Sequence, residues 1–159
     1  MSLRAGAIGG SLLLAFHPGL ASAQEPHGIE AGAEALVTLA DPTFAGGGVS
    51  LGVRPGGSVR VVLNLLAGGQ RERLAGRGEL LGQLMLTPAR RRGVGVYGVA
   101  GIAGQLGQRD AGWLVLGLGL EQAPAERSGW HLEAGIGGGV RLAAGWRHRW
   151  LSHARARAP

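Results

Sequence analysis

The side chains best suited to chemistry lie near the C-terminus, in Trp146-Arg147-His148-Arg149-Trp150-Leu151-Ser152-His153-Ala154. A serine hydroxyl becomes a nucleophile only beside a base. His148 precedes Ser152 by four positions and reaches it only if the segment leaves strand geometry. Otherwise these are the interfacial residues of a last strand, and Ser152 and His148 are weak catalytic candidates. His131 and Glu133 share one face of an extended chain, near Arg141, where a satisfied ion-pair network is expected rather than a proton-transfer pair. Gly93-Val-Gly95-Val-Tyr97-Gly98 spells G-x-G-x-x-G, but a dinucleotide loop needs a strand just before it and a helix after it. Here Thr87 to Arg92 intervene and a glycine-rich, strand-like tract follows. No His-x-x-x-His pair, carboxylate cluster or thiol pair is present, so no metal site and no cofactor are expected. Arg90-Arg91-Arg92 reads as a solvated turn, with contact to anionic headgroups or lipopolysaccharide phosphates as a second use.

The elements that would position these residues follow from composition and period. The chain has 159 residues, 45% of them apolar, enough for one domain that buries a core. Its 32 glycines have no Gly-X-Y register, and interior glycine disfavours helix, so they belong to turns and bent strands. Cysteine is absent, which leaves a closed hydrogen-bonded barrel as one source of stability for an exported chain. The net charge of +6 comes from arginines interleaved with acids, so nucleic-acid binding is not expected.

Met1 to Ala23 reads as a cleavable export signal: Arg4, an apolar run from Ala5 to Phe16, then Ala21-Ser22-Ala23 before Gln24. The run is too short for a membrane anchor and is broken by His17-Pro18. Residues 24–150 are then the barrel domain and 151–159 a basic tail.

Alternation with period two marks strands. Ile29, Ala31, Ala33, Ala35, Val37 and Leu39 oppose Glu30, Gly32, Glu34 and Thr38. Turns are expected at Asp41-Pro42-Thr43 and Pro55-Gly56-Gly57, flanking a second strand with Val49, Leu51 and Val53 opposite Ser50 and Arg54. Ser58 to Ala67 forms a third, followed by a polar link from Gly68 to Leu74. The fourth sets Arg77, Glu79 and Gln83 against Leu80, Leu84 and Leu86. The fifth, Val94 to Gln105, is too glycine-rich to assign a face. Gly112 to Glu121 sets Leu114, Leu116, Leu118 and Leu120 opposite Trp113, Val115, Gly117 and Gly119. Trp130 to Ile136 and Val140 to Trp150 complete eight strands.

Charge decides which face is inside. Glu30, Glu34, Glu79, Glu121, His131, Glu133, Arg54, Arg60, Arg77, Arg141, Arg147 and Arg149 all oppose the aliphatic face. A lumen network of these groups, with aliphatic side chains toward lipid, is expected of a membrane barrel; a soluble barrel inverts the arrangement. Glycine on the lumen face would make room for the charged side chains. Tyr97, Trp113, Trp130, Trp146 and Trp150, near strand ends, are expected at the membrane interface.

The glycine-rich strands Gly93 to Gly101 and Glu133 to Arg141, and a last strand with Gly145, His148 and Trp150 at the spacing of an assembly signal, resemble the small eight-stranded barrels of bacterial outer membranes. The resemblance implies an all-β, closed, antiparallel up-and-down transmembrane barrel that meets outer-membrane lipid and the barrel assembly machinery. Leu151 to Pro159 depart from the pattern, which ends on the aromatic. The C-terminal segment is also faintly similar to lipid A deacylases, in which only Ser152 carries over: Trp150 and His153 occupy the base and Asn positions and the later acid is missing. The resulting expectation is an outer-membrane barrel of structural or interaction type. The alternatives are a lipid A or phospholipid acyl hydrolase and a soluble periplasmic ligand-binding barrel with the aliphatic face lining a cavity.

Overall fold

The computed structural model describes residues 27–107 and 110–152. The expected export signal, Met1 to Ala23, and the tail from residue 153 onward lie outside them. The described residues form eight strands: β1 (His27–Leu39), β2 (Phe44–Gly56), β3 (Val59–Gln70), β4 (Arg73–Met85), β5 (Val94–Leu106), β6 (Ala111–Gln122), β7 (Ser128–Ile136) and β8 (Val140–Ser152). Each pairs antiparallel with its sequence neighbours, and β1 closes the ring on β8, with His27 opposite Ser152 and Leu39 opposite Val140. Closure satisfies every edge, which is what a sheet needs where no water is available to pair its backbone.

Period-two alternation turns into two chemically separate surfaces. Inside lie charged and amide side chains together with two apolar clusters. Leu36, Phe44, Leu66, Ala75 and Ala143 form one; Val62, Leu81, Met85, Tyr97, Val99, Ala103 and Val115 form the other. Outside, among the described residues, no strand position pointing away from the lumen carries Asp, Glu or Arg. Leu114, Leu118 and Ile102 are 74%, 65% and 56% exposed. The soluble alternative required the aliphatic residues to line a cavity; they cover the outer surface instead.

Three strand readings need correction. The expected polar link from Gly68 to Leu74 is mostly strand: Gly68 and Gly69 pair with Ala75 and Leu74, and the turn is confined to Arg71 and Glu72. Gly68 looked like loop sequence, yet a Cβ there would collide with the carbonyl oxygen of Ala45 on the adjoining strand, so its glycine permits close strand approach. β5 acquires a face, with Tyr97, Val99, Ala103 and Gln105 inward. β8 runs two residues past the expected end at Trp150, through Leu151 and Ser152.

The two mouths differ. Connections 40–43, 71–72 and 137–139, with Gly107 and Asp110, rim one; connections 57–58, 86–93 and 123–127 rim the other, beside His27 and Ser152. We call these the far mouth and the termini mouth. Gly138 and Gly139, at φ 79° and 144°, supply the left-handed backbone that reverses the chain between β7 and β8.

Candidate functional site

All twelve charged and histidine residues expected in the lumen lie inside the barrel, each at most 4% exposed. They divide into two tiers. Toward the termini mouth, Glu121 is surrounded by four arginines: Arg60 at 2.8 Å, Arg149 at 3.3 Å, and Arg54 and Arg147 at 3.7 Å. Glu30 shares Arg60 at 3.0 Å and Arg54 at 3.2 Å. Toward the far mouth the signs reverse, and Arg141 grips Glu79 and Glu133 at 2.7 Å each and Glu34 at 3.4 Å. Arg77 Nε donates to Glu79 Oε1 at 2.9 Å, and His131 Nε2 lies 3.4 Å from Glu34 Oε2. His131 is thus set against Glu34 as well as sharing parity with Glu133, and both carboxylates are already held by Arg141.

Amides join the tiers. Gln83 accepts from Arg60 Nε at 2.7 Å and donates to Glu133 Oε1 at 2.7 Å. Asn64 donates to Glu34 Oε1 at 3.0 Å. Tyr97, expected at the membrane interface, is instead fully buried: its hydroxyl donates to Glu133 Oε1 at 2.9 Å and the Arg60 guanidinium lies 5.2 Å from its ring centre. The reason is parity, since Tyr97 shares the inward face of β5 with Val99. Lumen glycine makes room for rings rather than for the charged groups alone. A Cβ at Gly119 would run into the Tyr97 ring and one at Gly145 into the His131 ring.

Trp113 is corrected likewise. It faces inward at the far mouth, half-buried, with Arg77 5.4 Å from its ring centre. Outward aromatics remain at Trp130, Trp146 and Trp150, with Trp130 paired to Trp146 across β7 and β8. They form a one-sided aromatic flank rather than a girdle.

At the termini mouth the 123–127 connection closes over the lumen. Arg54 Nη1 donates to Pro124 O at 3.1 Å and Arg149 Nη1 to Glu126 O at 3.2 Å, so lumen arginines hold the cover down. The Ser152 and His148 pair is not assembled. β8 is continuous through Ser152, which separates the two positions by about 13 Å along the strand. His148 points outward with its ring centre 4.7 Å from that of Trp150, edge to face. The side chain of Ser152 lies outside the described set. Gly93 to Gly98 runs from a turn into β5, with no helix following it. Arg90, Arg91 and Arg92 sit exposed in the 86–93 connection at the termini mouth.

The chain is similar in structure to the N-terminal β-barrel domain of Pseudomonas aeruginosa OprF, with a TM-score of 0.56 and 16% sequence identity over 79% of this chain and 99% of that one. It is also similar to the de novo designed protein TMB2.3, with a TM-score of 0.51 and 16% identity over 80% of this chain and 97% of that one. At that identity the likeness is one of fold: the closed eight-stranded antiparallel barrel of small transmembrane proteins. No family model and no curated protein matches the sequence.

Proposed function

We propose that this chain is exported and embedded in a bacterial outer membrane, where it acts as a structural or interaction-bearing barrel with a sealed lumen. One observation carries the reading: the outward strand positions are free of charge while five glutamates and six arginines face inward. In water this arrangement wastes apolar burial outside and strands charge inside; in lipid the outer face is covered by acyl chains and the charges neutralise one another. The barrel assembly machinery is its partner for insertion. An eight-stranded barrel is just wide enough for its own side chains or one small ligand. With Arg54, Arg60, Arg141, Arg147 and Arg149 fully buried across the lumen, it does not conduct. Its likeness to the OprF barrel supports the placement at the level of fold.

The test is expression of the full chain in a Gram-negative host, fractionation, and a detergent gel of heated and unheated samples. Recovery in the outer membrane with a heat-dependent shift is expected. A soluble periplasmic protein with no shift would overturn the proposal.

A further inference from the structure

The far mouth holds a vestibule of about 180 Å³ between Thr38, Phe44, Gln70, Arg77, Gln105 and Trp113. Four of these present a buried polar atom with no protein partner: Thr38 Oγ1, Gln70 Oε1, Arg77 Nη1 and Gln105 Nε2. Each of the four residues is no more than 4% exposed. Unmet polar atoms in a buried setting are costly, and four of those found among the described residues belong to side chains that line this one cavity.

The atoms also say what kind of molecule fits. Two are donors, Arg77 Nη1 and Gln105 Nε2; one is an acceptor, Gln70 Oε1; the Thr38 hydroxyl is both. A carboxylate or phosphate offers acceptors alone and would leave Gln70 unmet. It would also sit beside the tier that holds Glu34, Glu79 and Glu133. The other nitrogens of Arg77 are engaged, Nε with Glu79 and Nη2 with the Gly137 carbonyl, which leaves Nη1 as its one unmet donor. Hydroxyl groups, which donate and accept at once, answer all four. Trp113 and Phe44 supply apolar wall for the carbon face of a ring. The volume equals the share of about six waters in the liquid, close to what one hexose displaces.

We infer that the far mouth is a binding site for a single neutral sugar ring, held by Thr38, Gln70, Arg77 and Gln105 against Trp113. The ring arrives either as a free monosaccharide or as the end of a glycan, since both present the same hydroxyls. Among the described residues, the opposite mouth is covered by the 123–127 connection.

The experiment uses the full chain folded in a detergent without a sugar headgroup, with folding checked by the heat-dependent gel shift. Glucose, galactose, mannose and rhamnose are titrated while the Trp113 indole N–H is followed by NMR, with acetate and inorganic phosphate as anionic controls. Saturable movement of the Trp113 signal with at least one sugar is expected, weakened about tenfold or more in Gln105→Leu and in Thr38→Val. Binding of the methyl glycoside as tight as that of the free sugar assigns the site to a glycan end; preference for the free sugar assigns it to a monosaccharide. No saturable shift with any sugar in the folded protein, equal binding by both variants, or displacement of the sugar by acetate or phosphate would overturn the inference.

Discussion

The two tiers of the lumen are near mirror images in charge. Toward the termini mouth one glutamate, Glu121, is the hub of four arginines; toward the far mouth one arginine, Arg141, is the hub of three glutamates. The consequence differs at the openings. The cation-rich tier has spare guanidinium donors to spend on the backbone carbonyls of Pro124 and Glu126, and that mouth is covered. The carboxylate-rich tier spends its arginines internally, apart from Arg77, and leaves a vestibule above it. Charge excess of one sign thus leaves donors for tethering a loop across a barrel end, beside the backbone bonds that hold Ala123, Ala125 and Arg127. A hub of minority sign holds each tier, and the arginines around Glu121 have Glu30 and Glu133 as their only further carboxylate partners among the described residues.

The distinction between hubs and their neighbours can be broken by substitution, with stability followed by urea titration of the heat-dependent gel shift. The largest effect is expected for Arg141→Met, which keeps a similar length of apolar stem but strips Glu34, Glu79 and Glu133 of their common cation. Glu79 keeps Arg77 and Glu133 keeps Arg147, but Glu34 is left without an arginine, and leaving a buried carboxylate unmatched costs about 3–5 kcal/mol. A loss below about 1 kcal/mol would mean that Arg77 and Asn64 can carry the tier, and that Arg141 is not its hub.

Glu121→Gln comes next. The amide keeps one acceptor for Arg60, 2.8 Å away, but removes the charge shared by Arg54, Arg147 and Arg149. Loss of charge-assisted bonds of this kind costs about 1.5–3 kcal/mol. The cover should loosen as well, because Arg54 and Arg149 both lean on Glu121 while holding the 123–127 connection. Faster amide exchange in that connection, with the far mouth unchanged, is the expected signature. Equal loosening at both mouths would erase the difference between the tiers.

Much of this was legible from the chain. In β1, β3 and β8 a charged residue on one face and aliphatic residues on the other mark the parity without ambiguity, as Glu30 does against Ile29, Arg60 against Val61 and Arg147 against Trp146. β5 was not legible because both its faces are built from Gly, Ala and Val, and only Tyr97 and Gln105 betray the inward side. Trp113 departs from expectation for a different reason. Aromatics near strand ends are commonly interfacial, but its place opposite Leu114 turns it inward against Arg77. The vestibule left no sequence signal at all. Thr38, Gln70 and Gln105 sit at strand ends, where hydroxyl and amide residues also serve ordinary turns, and their convergence is a product of barrel closure between strands distant in sequence. The tier structure was equally hidden, since the list of lumen charges carries no information on height along the barrel axis.

The smallest effect is expected for Arg54→Met, and it is the sharpest of the three. Arg54 belongs to the cation-rich tier, and its Nε and Nη2 atoms lack hydrogen-bond partners. Glu30 retains Arg60 at 3.0 Å once Arg54 is gone, and Glu121 retains Arg60 and Arg149. What is lost is the bond to the Pro124 carbonyl at 3.1 Å and the ion pair to Glu30 at 3.2 Å; what is relieved is the crowding of four guanidinium groups around one carboxylate. Removing one member of a buried ion pair is costly where it strands its partner's charge; here both carboxylates keep an arginine, and a net change within about 1 kcal/mol of zero is expected. A loss as large as that of Arg141→Met would show that every lumen arginine is indispensable whatever the local balance of charge. Near neutrality, beside a large loss at Arg141, would show that the sign excess of the termini tier is a reserve used to tether the cover, and that the fold depends on the two hubs.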